Sequence, residues 1–162
     1  MLLFFIAHLS AFAGECTSQN INQKKLSYTI HVCENDNFLF KNVEESISWW
    51  QSQGESVYLN QNIKDCSQKK KRGDIYISYN NYEVSLENRE NFTADAVTDW
   101  EFGLETKAIL KADIFLSTRI EDHEMLNIVR HEIGHAIGYD HVSKECYGYA
   151  LNPFTSRMGS KL

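Results

Sequence analysis

His131-Glu132-Ile133-Gly134-His135-Ala136-Ile137-Gly138-Tyr139-Asp140-His141 spells H-E-x-x-H-x-x-G-x-x-H, three imidazoles and one carboxylate around a glycine. Side chains four residues apart leave the same helix face, so His131 and His135 can present ring nitrogens to one ion at about 2.0–2.1 Å. Glu132 points to a neighbouring face, within reach of a metal-bound water but not occupying the metal. Gly138 can adopt the positive φ that ends a helix sharply, which would fold His141 back as a third ligand. Three protein ligands leave a fourth position open, as in catalytic rather than structural zinc. H-E-x-x-H alone occurs by chance in solvated helices; the glycine and third histidine at fixed offsets select the metal reading.

Upstream, Thr118 and Glu121 form a capping box, and Met125, Val129, Ile133 and Ala136 or Ile137 make the buried stripe of the helix that follows. His131 and His135 lie off that stripe and are expected to face a cleft. Before the helix, Ala108, Leu110, Ala112, Ile114 and Leu116 alternate with Ile109, Lys111, Asp113 and Phe115, which predicts a strand. Residues 80–105 are polar and aromatic and read as a long surface loop.

Further toward the N-terminus, Tyr28, Ile30 and Val32 alternate with Thr29 and His31 as in a strand. A helix follows, with Asn42 as its cap and Glu45 three residues on, an apolar stripe of Val43, Ile47 and Trp50, and a stop at Gly54. Val57-Tyr58-Leu59 predicts a second strand, and Ile75, Ile77 and Tyr79 a third. A strand–helix–strand order at this spacing favours a parallel pair with a crossover helix. No internal repeat, low-complexity tract or interdomain linker interrupts the pattern, and the single proline, Pro153, comes late.

The apolar run from Met1 to Ala13 ends in Ala11-Phe12-Ala13, a small-x-small cleavage pattern, and resembles a secretory signal peptide lacking the usual basic start. The expected mature chain, 14–162, has about 150 residues, enough for one domain with one core. Beyond residue 13 no stretch approaches the roughly 20 apolar residues of a membrane span. The net charge of −6 gives no basic excess to attract nucleic acid. Lys69-Lys70-Lys71-Arg72 reads as a solvated hairpin loop. Cys16, Cys33, Cys66 and Cys146 lack C-x-x-C spacing, which in an exported chain suggests two disulfides. Three pairings exist; parallel first strands would favour Cys33 with Cys66 and Cys16 with Cys146. Asn91-Phe92-Thr93 matches a glycosylation acceptor. His31 and His123 are expected to be structural, and His8 lies in the segment expected to be removed.

The motif over residues 131–141 resembles that of the metzincin metallopeptidases, and Gly134, Ala136 and Gly138 are most similar to the matrixin branch. The resemblance implies an α/β fold with a twisted, mostly parallel sheet, a cleft above one catalytic zinc ion, and an antiparallel edge strand that binds extended peptides. On this pattern the edge strand would be about Lys107–Leu116. The chain departs from the family in several places. Leu151 in Ala150-Leu151-Asn152-Pro153 stands where a methionine turn is expected, and Met158 offers a methionine in a poorer context. No cysteine switch precedes the domain, no segment rich in His and Asp resembles a structural zinc site, Val142 follows the third histidine, and the usual C-terminal helix is not evident.

The resemblance and the residues together imply a secreted, monomeric zinc endopeptidase acting on protein or peptide substrates, with His131, His135 and His141 as metal ligands and Glu132 as general base. Tyr147 or Tyr149 could offer a hydroxyl to the oxyanion, although packed structural roles are the commoner fate of such tyrosines. Two other readings stay open: a zinc-retaining but inactive peptide-binding or effector protein, and a structural zinc site closed by Asp140 or another side chain.

Overall fold

The computed structural model describes residues 16–61, 71–79, 95–153, 158–159 and 161–162. Along the chain lie β1 (Tyr28–Val32), α1 (Asn37–Ser52), β2 (Val57–Leu59), β3 (Asp74–Tyr79), β4 (Ala96–Gly103), β5 (Ala108–Leu116) and α2 (Asp122–Ala136). The strands form one sheet in the order β2-β1-β3-β5-β4, parallel throughout except for the antiparallel pairing of β4 with β5. An α/β architecture with a mostly parallel sheet and an antiparallel edge is therefore present. The predicted signal segment 1–13, Cys66 and the Asn91 acceptor lie outside the described residues.

The edge strand is not the one expected. Residues 108–116 form β5, which lies inside the sheet between β3 and β4. Ala108 and Ile109, consecutive and therefore on opposite faces, are both fully buried, a pattern that an interior strand satisfies and a rim strand does not. The antiparallel edge is β4, from within the stretch read as a loop; residues 80–94 lie outside the described residues. An edge strand with a solvated side carries Asp99 and Glu101 and so lacks the apolar density that marks β5.

Both helix starts also differ from expectation. α1 begins at Asn37 because the Asp36 carboxylate accepts the Phe38 N–H at 2.8 Å, and its buried stripe begins one turn earlier, at Leu39. Asn42 is internal, its amide donating to the Phe38 carbonyl at 2.9 Å. α2 starts after Glu121 without a side-chain cap; Thr118 lies in a turn held by the Ser117 hydroxyl, which accepts the Arg119 N–H at 3.1 Å. Gly54 ends the first helical segment as expected, with φ +89°. β2 and β3 both run parallel to β1 on its two sides, so these two strands are not themselves a hairpin pair; residues 62–70, with Lys69 and Lys70 of the basic run, lie outside the described residues.

The two helices pack on each other and on the sheet. Trp50 of α1 is completely buried between them, and its indole N–H donates to the Arg130 carbonyl at 2.9 Å. Met125, Val129, Ile133, Ala136 and Ile137 are buried as the predicted stripe of α2. Gly134 lets α2 approach this core closely: a Cβ there would lie 2.7 Å from both the Trp50 ring and the Leu151 side chain. A disulfide joins Cys16 to Cys146, as favoured from the sequence. Cys33 is also disulfide-bonded, and its expected partner, Cys66, lies outside the described residues.

Candidate metal centre

His131 and His135 project from the C-terminal half of α2, and the turn after the helix brings His141 back to them. That turn follows from Gly138, whose φ of +101° is open to glycine and strained for other residues. The Tyr139 N–H donates to the Gly134 carbonyl at 2.9 Å and the Gly138 N–H to the His135 carbonyl at 3.0 Å, which satisfies the last carbonyls of the helix. The three Nε2 atoms converge: His131 to His135 is 2.9 Å, His135 to His141 is 3.1 Å and His131 to His141 is 3.2 Å.

Their protonation is dictated by what the other ring nitrogens touch. His131 Nδ1 lies 2.9 Å from the Ala150 carbonyl and His135 Nδ1 2.8 Å from the Tyr139 carbonyl. A carbonyl only accepts, so each Nδ1 carries the hydrogen and each Nε2 keeps a lone pair. Neither Nε2 of that pair can donate to the other at 2.9 Å, and the two lone pairs repel. A cation between the rings resolves the conflict. Burial reinforces this state by pushing the His131 pKa down to about 3, with the nearby His135 adding to the effect. Burial lowers the pKa of His135 and His141 as well.

Three neutral imidazoles suit zinc. Tetrahedral coordination at 2.0–2.1 Å separates ligand atoms by about 3.3 Å, close to the spacing found. Among the described residues, no further His, Cys, Asp or Glu joins the cluster. Asp140, considered as a closing ligand, instead uses its carboxylate to accept the His141 N–H at 2.7 Å. The described donor set is therefore three, not four.

Glu132 is buried beside the first histidine. Burial pushes its pKa up to about 7, opposed by a hydrogen bond from Thr98, whose hydroxyl donates to Oε2 at 2.5 Å. Thr98 belongs to β4 and was missed because its segment read as a loop. The signal that could have found it is the alternation of Thr98, Trp100 and Phe102 with Asp99 and Glu101.

The chain beyond His141 supports the histidines from below. The Val142 N–H donates to the Leu151 carbonyl at 3.0 Å, and the buried Asn152 side chain donates to the Cys146 carbonyl at 2.9 Å. Leu151 is buried against Gly134, directly after the Ala150 carbonyl that holds His131. Met158 is only partly buried. Tyr147 is 60% exposed, so it is not a packed aromatic, and Tyr149 lies against the Lys161 ammonium at 5.5 Å. His31 has the expected structural place, buried between Asp74 at 3.0 Å and Asn60 at 2.9 Å, and His123 faces solvent beside Glu121.

No protein-family model matches the sequence, and no characterised protein matches it either.

Proposed function

We propose that the protein is a zinc-dependent endopeptidase similar to the metzincins, most of all to the matrixin branch. The observation that carries this reading is the convergence of three Nε2 atoms at 2.9–3.2 Å, with a buried carboxylate on the residue next to the first of them. His131, His135 and His141 would hold the ion. Zinc held there supplies Lewis acidity, which polarises a scissile carbonyl and acidifies water.

The remaining chemistry falls to the chain. Glu132 takes the proton of the attacking water and returns it to the leaving amine. Thr98 orients the Glu132 carboxylate through Oε2, leaving Oε1 for that transfer. β4 is the outermost of the described strands and carries Thr98, so a peptide adding to its outer edge would run beside the general base. Such substrates bind by backbone hydrogen bonds, which suits an endopeptidase. The disulfides and the apolar N-terminal run support export, and no helix among the described residues is long and apolar enough to cross a membrane.

The test is metal content together with cleavage of a mixed peptide library. One zinc per chain, chelator-sensitive cleavage and loss of cleavage in Glu132→Ala with zinc retained support the proposal. Zinc without cleavage identifies an inactive binding protein, and hydrolysis unchanged in Glu132→Ala refutes the assigned base.

A further inference from the structure

We propose that residues 16–22 form a strap whose function is to position the third metal ligand, with Cys16–Cys146 as its fastening and Asn22 as its hinge point on the sheet. The proposal rests on the metal reading above and adds what holds that site in shape.

His141 is exposed, and it lies past the end of α2, where the helix no longer dictates its position. Its backbone N–H bonds to the carboxylate of its own neighbour, Asp140, which fixes the local turn but not the turn's place in the molecule. The strap supplies that from one side, while the Val142 N–H bond to the Leu151 carbonyl and the Tyr139 hydroxyl bond to Glu55 at 2.8 Å hold the turn from the other. The Ile21 N–H donates to the Gly138 carbonyl at 2.8 Å, and the Asp140 N–H donates to the Gln19 carbonyl at 2.9 Å, with Asn20 and Tyr139 paired as an antiparallel bridge between them. The Ser18 hydroxyl donates to the Asp140 carbonyl at 2.5 Å. Each residue from Gly138 to Asp140 is thus met by a residue of the strap.

The strap is in turn tied at both ends. Asn22 Nδ2 donates to the Ile137 carbonyl at 2.6 Å and to the Tyr28 hydroxyl oxygen at 3.1 Å, while its Oδ1 accepts the Ile109 N–H at 2.7 Å. One side chain therefore links the end of α2 to β1 and β5. At the other end Cys16 is bonded to Cys146, five residues beyond His141 and buried. The strap and the 138–146 segment thus form a closed loop in which His141 is one member.

The fit over Gly138 is close. A Cβ at Gly138 would lie 2.6 Å from Asn22 Nδ2 and 2.7 Å from Asn20 Oδ1, so glycine there serves both the positive φ and the seating of the strap. Tyr139, held by the same bridge, supplies the carbonyl that fixes His135 Nδ1. Asn20, Asn22 and the disulfide are positioning residues: they act on the ion through His141 and, more weakly, through His135.

The experiment measures zinc affinity by competition with a chromogenic chelator. It compares the full chain with Cys16→Ser/Cys146→Ser, and repeats the pair in a His141→Ala background. Groups that orient metal ligands change affinity by about 10- to 100-fold when removed. Loss of the disulfide is expected to weaken zinc binding about tenfold or more when His141 is present, and by less than about threefold when it is absent. A merely structural role would weaken both backgrounds by the same factor, and that result, or no weakening in either, overturns the proposal.

Asn22→Asp retains the disulfide and the acceptor for Ile109 while removing the donor to Ile137. It carries the same comparison if the serine variant does not fold. If the unaltered chain binds no zinc, the metal reading falls and the strap's role falls with it. If it binds zinc equally well with and without the fastening, only the strap's role falls.

Discussion

The Thr98 hydroxyl on the edge strand donates to Glu132 Oε2 on the metal helix at 2.5 Å, joining the rim of the sheet to the proposed base. Thr98→Val keeps the side-chain shape and removes the donor. We expect kcat to fall about tenfold with KM and zinc content little changed, the cost of one hydrogen bond to a charged group. Thr98→Ser should recover most of the loss. A valine variant with unchanged kcat, or a serine variant no better than valine, would remove Thr98 from the mechanism.

Gly134 faces Trp50 and Leu151 at a spacing that leaves no room for a methyl group. Gly134→Ala should destabilise the fold by about 1–3 kcal/mol through overpacking, despite the better helix propensity of alanine. Leu151→Met at the same contact is close to volume-conserving and should cost less than about 1.5 kcal/mol. Urea unfolding of both variants checks the pair. A stabilised Gly134→Ala would show that α2 and the turn can move apart at little cost.

That contact also shows what the sequence could and could not reveal. The ligand set was legible because spacing on a helix and one glycine determine where the three rings go. The strands whose buried residues alternate were legible for the same reason, and so was the stripe on α2. β4 was harder: its alternation of Thr98, Trp100 and Phe102 with Asp99 and Glu101 is short and follows a long polar stretch, and Asp99 and Glu101 face solvent at the rim. The place of β5 inside the sheet depended on β4 and shifted with it. Asn42 reads as a cap because Glu45 three residues on completes a capping box, whereas the structure caps the helix at Asp36 and extends the apolar stripe back to Leu39. Asn22 was invisible as a link, since its partners at Ile109 and Ile137 lie far away along the chain.

Tyr28 gives the fold an alkaline limit. It is buried, its hydroxyl donates to the Ile109 carbonyl at 3.0 Å, and burial pushes its pKa from 10.0 to about 12. The unfolded chain loses this proton near pH 10, while the folded chain keeps it to about pH 12. Between those values the native state binds more protons, so stability falls as pH rises. Tyr79, also raised to about 12 by burial, adds to the slope. Tyr28→Phe should lower stability at neutral pH by about 1 kcal/mol and flatten the decline above pH 10. Urea midpoints measured from pH 8 to 12 test this; a decline equally steep in the phenylalanine variant would assign it elsewhere.

The histidine cluster predicts a stability increment that only a bound cation supplies. With the Nε2 lone pairs of His131 and His135 2.9 Å apart, that pair is repulsive by itself, and zinc between them and the third ring at 3.1–3.2 Å converts the repulsion into binding energy. At a thousandfold excess over Kd, a ligand specific for the folded state adds about 4 kcal/mol. Zinc should therefore raise the melting temperature, and His131→Ala or His135→Ala should abolish the rise. His31 provides the control, because it is a buried histidine held by Asp74 and Asn60 away from the cluster. His31→Gln should lower the melting temperature of the metal-free protein yet leave the zinc increment intact. An increment that survives His131→Ala, or vanishes in His31→Gln while the protein still folds, would place the binding of zinc somewhere other than the three converging rings.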